Sequence, residues 1–219
     1  MEGNALRFSK KINLNFYELD APSIHIYKKG LCNMNCMGCF NIGDLFQNEE
    51  TDIDIKGVLK YIQPQVDLFE YIVFTGGEIL TAPLELLVEA LTLTRAKFPT
   101  KKIILYTNGL DYDKLAAVVG IVDGVHMDIK LPYHLLIEED MDLVQHILGR
   151  KLNARHLTNL VKSIELIIEY DKGYSQLRTV KYPGTDESIW SQNRVLIEEL
   201  NKKYNKQTPY HLNTYIPKE

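Results

Sequence analysis

Short apolar runs alternate with longer segments of helical pattern along the chain, and this alternation restricts the possible folds more than any other property of the sequence. The short runs are rich in β-branched and aromatic residues, are bounded by turn-forming residues, and predict strands at residues 23–27, 71–74, 102–106, 123–129, 176–182 and 210–216. Strands that alternate with helices in this way form parallel βαβ units. The pattern therefore predicts an α/β fold and leaves both a doubly wound sheet and an incomplete barrel open.

Between the strands, apolar residues at helical spacing predict helices at residues 84–95, 113–119, 154–169 and 187–203. Asp111 precedes the second of these helices, and Thr185 is the predicted N-cap of the last. The segment 163–168 fits a strand or a helix when taken alone, and we assign it to a helix because it continues the preceding apolar spacing. The segment 131–150 is the least regular and predicts a long loop that contains a helix.

Size and composition predict one globular domain over residues 1–219, because 45% hydrophobic residues are enough for a sizeable core. The net charge is −4 and the basic residues are scattered, so we expect no nucleic-acid partner. No apolar stretch approaches the length of a membrane span, and the N-terminus lacks a secretory pattern. We therefore expect no membrane partner and a cytoplasmic location.

Three cysteines, Cys32, Cys36 and Cys39, lie within eight residues at the spacing C-x3-C-x2-C, and the chain has no others. A [4Fe–4S] cluster normally takes four Cys thiolates, so three would leave one iron open to a small molecule. A structural zinc site is the main alternative, but the nearest histidine, His25, lies seven residues before Cys32. Ordinary reduced thiols also stay open, whereas an odd number of cysteines argues against a disulfide framework.

Polar residues gather at the ends of three predicted strands, namely Gly76, Gly77 and Glu78, then Thr107 and Asn108, then Asp128 and Lys130. Arg178 lies inside the fifth predicted strand, and His211 lies where the sixth begins. Paired glycines let the backbone turn sharply and approach a ligand, and Thr and Asn offer hydroxyl and amide groups. Residues two apart on a strand point the same way, which brings the carboxylate and the ammonium together. Each motif also has a structural reading as a turn, an exposed ion pair or an ordinary core or surface residue.

Taken together, these residues resemble the radical S-adenosylmethionine (SAM) family, whose cysteine loop follows the first strand and whose second strand ends in G-G-E. Thr107-Asn108-Gly109, Asp128-Ile129-Lys130 and Pro209-Tyr210-His211 are similar to motifs of its glycyl-radical-enzyme activating enzymes. Gly38-Cys39-Phe40-Asn41 looks like the G-C-F-N of anaerobic ribonucleotide reductase activating proteins.

The resemblance implies a partial (β/α)6 TIM-type barrel of parallel strands, with the site at the C-terminal ends of the strands. It also implies that Cys32, Cys36 and Cys39 hold a [4Fe–4S] cluster whose open iron binds SAM. The residues that it implies as SAM contacts are Gly38, Phe40, Gly76, Gly77, Glu78, Thr107, Asn108, Asp128, Lys130, Arg178 and His211.

The reaction that the resemblance implies is reductive cleavage of SAM to methionine and a 5′-deoxyadenosyl radical, which takes a hydrogen atom from a substrate. In activating enzymes the substrate is a backbone glycine of a partner, here anaerobic ribonucleotide reductase, with a flavodoxin or ferredoxin type electron donor and an anaerobic setting. The alternatives are a pyruvate formate-lyase type activase and a small-molecule enzyme such as 7-carboxy-7-deazaguanine synthase. A zinc or Fe–S scaffold protein without catalytic activity is the alternative outside enzymes.

Overall fold

The structure is a computed structural model that describes residues 6–30, 32–39 and 52–217. Phe40, one of the predicted SAM contacts, lies outside the described residues. The described residues form two compact units. The first contains those of Met1–Asn33, Asn41–Tyr106 and Ile121–Asp123, and the second those of Met34–Phe40, Thr107–Gly120 and Gly124–Glu219. The single domain predicted over residues 1–219 stays a prediction.

The first unit combines parallel and antiparallel strands with helices. Its elements are β1 (Phe8–Ser9), β2 (Asn13–Asn15), β3 (Ser23–Lys28), β4 (Asp52–Ile53), α1 (Ile55–Ile62), β5 (Tyr71–Gly76), α2 (Leu84–Lys97) and β6 (Lys102–Thr107, in this unit up to Tyr106), with 3-10 turns at Gln63–Leu68 and Ile79–Thr81. Strand β5 runs parallel to β3 and to β6, whereas β1 and β2 pair antiparallel with β3, and β4 pairs antiparallel with β1.

Burial explains the sequence pattern of the first unit. All residues of β5 are buried, and Ile72, Val73 and Phe74 are fully so. A continuous apolar run of this kind is typical of a parallel strand covered on both faces. Phe74 meets the edge of the Phe8 ring at a centroid distance of 6.0 Å, which extends the core to the antiparallel strand β1.

The second unit alternates strands and helices. Its elements are α3 (Tyr112–Val118), β7 (Gly124–Asp128), a 3-10 turn at Glu138–Asp140, α4 (Met141–Leu148), α5 (Ala154–Glu169), β8 (Gln176–Lys181), α6 (Glu187–Tyr204) and β9 (Tyr210–Thr214). Strand β8 is parallel to both β7 and β9. Asp128 of β7 is in register with Arg178 of β8, and Arg178 with His211 of β9. Side chains in register on neighbouring strands share one face, so these three residues face the same side.

Side-chain caps determine where the helices of the second unit begin. Asp111 caps α3 by accepting a hydrogen bond from the Lys114 backbone, as its position before the predicted helix suggests. The predicted N-cap of α6, Thr185, is wrong. Asp186 caps this helix instead, because its carboxylate accepts hydrogen bonds from two backbone N–H groups of the first turn, whereas the Thr185 hydroxyl donates to the Tyr182 carbonyl.

The predicted fold class, an α/β fold built on parallel strands, is confirmed. The six predicted strands correspond to β3 and β5 to β9, and segment 163–168 belongs to helix α5. Segment 131–150 contains α4, as predicted. Among the described residues, the strands and the α-helix that were not predicted are β1, β2, β4 and α1. In the part of the chain that the structure describes, no helix is long and apolar enough to cross a membrane.

Candidate functional site

Gly76 ends β5 at a point where two backbones nearly touch. Its φ is +133°, and a Cβ at this position would lie 2.6 Å from the carbonyl oxygen of Lys28 and 2.7 Å from its nitrogen. Any side chain here would meet backbone atoms of β3, so glycine is required by the close approach as well as by the positive φ. Gly77, which follows, is half-buried.

Glu78 stabilises the turn after β5. Its side chain is buried and accepts a hydrogen bond from the Leu80 backbone at 3.1 Å, which caps the 3-10 turn Ile79–Thr81. The Thr81 hydroxyl donates to the Glu78 carbonyl at 2.8 Å and accepts from Lys28 Nζ at 2.8 Å. These contacts brace the loop that follows β5, and the SAM contact of Glu78 stays a prediction. Lys28, the last residue of β3, contacts this turn, and sequence reasoning missed it.

Thr107 and Asn108 close β6 with a turn that their own side chains stabilise. The Gly109 backbone donates to Thr107 Oγ1 at 3.1 Å, and the Leu110 backbone donates to Asn108 Oδ1 at 3.0 Å. Gly109 has φ +76°, and its carbonyl accepts from the Ser163 hydroxyl of α5 at 2.7 Å. Both predicted site residues are buried, and the turn that contains them is anchored to α5.

A charged cluster lies at the end of β7 and beside the neighbouring strand β8, and we use this name for Asp128, Lys130 and Arg178. Lys130 Nζ donates to Asp128 Oδ2 at 3.4 Å, and Arg178 Nε donates to Asp128 Oδ1 at 3.2 Å. The side chains of Lys130 and Arg178 are 10% and 17% exposed, whereas that of Asp128 is 40% exposed. One carboxylate therefore holds two largely buried cations and leaves the cluster with a net positive charge.

The charges of the cluster stabilise one another. Burial acts to raise the pKa of Asp128, but Lys130 and Arg178 outweigh it and hold that pKa below its ordinary value. Burial acts to lower the pKa of Lys130, but Asp128 and, to a smaller extent, Tyr182 and Cys36 raise it above its ordinary value. At neutral pH the cluster therefore carries two positive charges and one negative charge.

Two buried tyrosines surround the cluster, and sequence reasoning missed both. The Tyr133 hydroxyl accepts a hydrogen bond from the Lys130 backbone at 3.1 Å, and burial raises the pKa of this hydroxyl. Burial also raises the pKa of Tyr182, which contacts the Lys130 side chain. Both hydroxyls stay neutral at physiological pH. Neither tyrosine carries a local sequence pattern that would have indicated it.

Two histidines near the cluster differ in environment. His211 is exposed and lies in register with Arg178. His126 is 1% exposed, and its Nε2 lies 3.2 Å from the Tyr174 carbonyl. Burial, with a further contribution from the Arg178 charge, lowers the pKa of His126 to about 3, so its imidazole is neutral at physiological pH. Only His211 was predicted as a site residue.

The three cysteines lie on a short segment after β3. Cys32 belongs to the first unit, and Cys36 and Cys39 belong to the second. The Cys39 backbone donates to the Cys36 carbonyl at 3.2 Å in a turn that contains Gly38, whose φ is +66°. Among the described residues, no disulfide joins these half-buried thiols, and no three His, Cys, Asp or Glu side chains form a preassembled metal site. The donor set itself, soft thiolates at close spacing, suits an iron–sulfur cluster.

The predicted site residues are therefore partly brought together. Asp128, Lys130, Arg178 and His211 share one side of the second unit, and the Cys36 thiol is close enough to affect the pKa of Lys130. Gly76, Gly77 and Glu78 belong to the first unit. The fold and these residues define an α/β protein with a cationic group of side chains at the end of β7 and on β8, and with a three-thiol segment after β3.

Comparison with known proteins identifies the family. The model of the 4Fe-4S single cluster domain family matches residues 24–147, which is more than half of the chain and includes all three cysteines, and the chain belongs to this family. A solved structure, that of QueE from Escherichia coli, aligns with 95% of this chain and 93% of its own at 12% identity and a TM-score of 0.43. No curated protein matches the chain.

Proposed function

We propose that this chain is a radical SAM enzyme that cleaves SAM reductively at a [4Fe–4S] cluster held by Cys32, Cys36 and Cys39. The observation that carries the proposal is the pairing of a single-cluster family with only three cysteines. A cube with three thiolates lacks one protein ligand, and that position is where SAM binds in the family that the motifs resemble. When bound, the cluster and SAM supply the one-electron chemistry, and the protein supplies binding, orientation and exclusion of water.

The charged cluster supports SAM binding in particular. Within the cluster, Asp128 compensates one of the two cations, Lys130 and Arg178. The remaining positive charge suits a carboxylate such as that of the methionyl group of SAM. Because Lys130 and Arg178 are largely buried, an anion that binds them is screened little by salt. The neutral hydroxyls of Tyr133 and Tyr182 keep the neighbourhood from acquiring further negative charge.

We further propose that the hydrogen atom comes from a backbone glycine of a glycyl radical enzyme, with anaerobic ribonucleotide reductase as the first partner to test. The support is the resemblance of Thr107-Asn108-Gly109, Asp128-Ile129-Lys130 and Pro209-Tyr210-His211 to motifs of activating enzymes. The expected electron donor is a flavodoxin or a ferredoxin, and the expected setting is an anaerobic cytoplasm.

The first experiment tests cofactor and reaction together. The chain is reconstituted anaerobically, iron and sulfide are counted, and 5′-deoxyadenosine is measured after SAM and dithionite are added. We expect about four irons per chain and release of the nucleoside. A C36S variant should lose both, whereas K151M, a change of an exposed lysine, should lose neither. Zinc in place of iron, or an intact cluster without nucleoside release, would contradict the proposal.

The second experiment tests the substrate. The reconstituted chain is incubated with SAM, reductant and a candidate glycyl radical enzyme, and the EPR doublet of a glycyl radical is recorded. Its appearance supports the activating role. Nucleoside release with no protein radical, but with conversion of a small molecule, would assign the chain to the small-molecule class instead.

A further inference from the structure

The cysteine loop, by which we mean residues 34–39 with Cys36 and Cys39, is bound to the end of helix α4. The Asn35 backbone donates to the Leu148 carbonyl at 3.0 Å, and the Met37 backbone donates to the Ile147 carbonyl at 2.9 Å. The last carbonyls of a helix have no partner within it. The cysteine loop supplies these partners, so its backbone N–H groups and the last carbonyls of α4 complete each other's hydrogen bonding.

Gly149 allows this contact. It follows α4 with φ +61°, and a Cβ at this position would lie 2.1 Å from the carbonyl oxygen of Asn35. The nearest atoms are the carbonyl group and the Cβ of Asn35, which cannot turn aside as the end of a flexible side chain would. Glycine therefore serves here as the helix C-cap and as the surface on which the cysteine loop lies.

Tyr215 packs against the same loop. A Cβ on Gly38, the residue between Cys36 and Cys39 that has φ +66°, would lie 2.5 Å from Cε2 of the Tyr215 ring. Tyr215 in turn packs against the buried ring of Tyr182 at a centroid distance of 5.9 Å. Tyr215 lies after β9, outside the family-matched residues 24–147. This contact therefore comes from a part of the chain that the family match does not include.

We propose that Gly149 and Tyr215 are positioning residues that clamp the cysteine loop and thereby preorganise Cys36 and Cys39 for the cluster. The proposal rests on the proposed function for its purpose, and on the contacts above for its geometry. Ordering a loop before it binds removes part of the entropy cost of binding. An aromatic ring packed on the loop also limits the access of water to the metal site, and water access affects the reduction potential.

The clamp assigns a role to segment 131–150. This segment contains α4 and ends with the carbonyls and the glycine that contact the cysteine loop. Without α4, the Asn35 and Met37 amides would lose these partners. Segment 131–150, the least regular part of the sequence, therefore supports the loop that carries Cys36 and Cys39.

The first test measures thiol reactivity in the metal-free chain, so it does not depend on any cofactor. Wild type, G149A and Y215A are treated with iodoacetamide, and labelling of Cys36 and Cys39 is followed by mass spectrometry. We expect labelling severalfold faster in both variants, because a loosened loop exposes its thiols. The matched controls are G173A, where φ is +89° and no atom lies within 4 Å of the added Cβ, and Y215F, which keeps the ring. Both should label as wild type does.

Equal labelling rates in wild type, G149A and Y215A would overturn the clamp. So would acceleration in G173A as large as in G149A, because backbone strain alone would then explain the effect. If G149A fails to fold by circular dichroism, Y215A and Y215F still decide the question, since they change no backbone conformation.

The second test uses the reconstituted protein. We expect Y215A to lose its cluster to a chelator severalfold faster than wild type and to shift its midpoint potential upward, since water stabilises the more negative reduced cluster. Y215F should restore both values. If the wild-type chain binds no [4Fe–4S] cluster, the proposed function fails, while the labelling rates still decide whether the clamp exists.

Discussion

The turn after β5 in the first unit is held by close backbone packing and by hydrogen bonds of neutral and charged side chains within and beside it, whereas the charged cluster of the second unit is held by ion pairs between the end of β7 and β8. In the turn, Gly76 meets the Lys28 backbone and Glu78 caps the residues that follow it. In the cluster, Asp128 binds Lys130 and Arg178 through charged groups alone. Motifs that look equally functional in a sequence can thus be built by steric fit in one place and by charge in another.

The turn and the charged cluster therefore differ in their capacity to bind a ligand. The Glu78 carboxylate is engaged with its own turn and buried, so substitutions there should act mainly on stability. The carboxylate of Asp128 is partly exposed, and the cations beside it exceed it in charge, so substitutions there should act on stability and on anion binding. The four predictions below test this contrast.

The largest effect is expected for G76A. Its added Cβ would meet the Lys28 backbone at 2.6 Å and force a residue with a side chain to φ +133°. We expect a loss of about 4 kcal/mol in unfolding free energy, measured in urea, from the clash and the backbone strain together. The control is G184A, where φ is +82° and no atom lies within 4 Å, with an expected loss of about 1 kcal/mol. Equal losses would mean that the close approach to β3 is not decisive.

The next effect is expected for D128N. The substitution keeps the shape of the side chain but removes the charge that compensates Lys130 and Arg178. We expect a loss of about 2 to 3 kcal/mol, less than for a fully buried pair because the Asp128 side chain is 40% exposed. D142N, a change of an exposed carboxylate on α4, should cost under about 0.5 kcal/mol. A D128N protein as stable as D142N would show that the cluster is not held by charge.

A pH-dependent effect is expected for His126. Its folded-state pKa of about 3 lies below its ordinary value of 6.5, so between these values the unfolded state binds a proton that the folded state does not. Above pH 6.5 this residue therefore does not reduce the free energy of unfolding. As the pH falls from 6.5 toward 3, its burial lowers that free energy progressively. When the pH is lowered from about 7 to about 5, the free energy of unfolding should decrease by about 2 kcal/mol because of this residue.

Comparison with H126Q isolates that contribution. The variant has no group that titrates at this position, so its stability should decrease less between the same two pH values, by the amount attributed to His126. Urea unfolding of both proteins at each pH gives the difference directly. Parallel pH profiles would show that His126 is as protonated in the folded chain as in the unfolded one.

The smallest effect is expected for E78Q. The amide oxygen can still accept the hydrogen bond from the Leu80 backbone, so we expect a loss under about 1 kcal/mol, against about 1 to 2 kcal/mol for E78A, which removes the cap. Nucleoside release by the reconstituted E78Q protein should stay near that of wild type. A large loss of release with unchanged stability would show that the charge of Glu78 serves SAM as well as the turn.

Particular elements show how far the sequence could predict this structure. Strand β5 was predicted because four consecutive apolar residues precede two glycines, and α5 because its apolar residues recur at helical spacing. Strand β4 is only two residues long, too short for any pattern to be visible. Helix α1 has a clear Asp54 cap and an apolar stripe, so it could have been predicted and was missed.

The candidate site likewise contains residues that a local pattern identifies and residues that it does not. Asp128 and Lys130 were identified because they stand two residues apart at a strand end, whereas Tyr133 and Tyr182 carry no local pattern that would mark them. The wrong cap at Thr185 has a local cause as well. Two possible capping residues are adjacent there, and only the path of the chain decides which one faces the first turn of α6.

Local patterns were enough to predict the α/β class and the order of the main strands and helices and to reveal the three-thiol spacing, because periodicity and spacing depend on residues that are close along the chain. Contacts between distant residues became visible only in the folded structure. Asp128 binds Arg178 from 50 residues away, Asn35 lies on the end of α4, and Gly38 lies under Tyr215. Such contacts depend on strand register and on close packing, which are properties of the folded chain as a whole and leave no mark in any short segment.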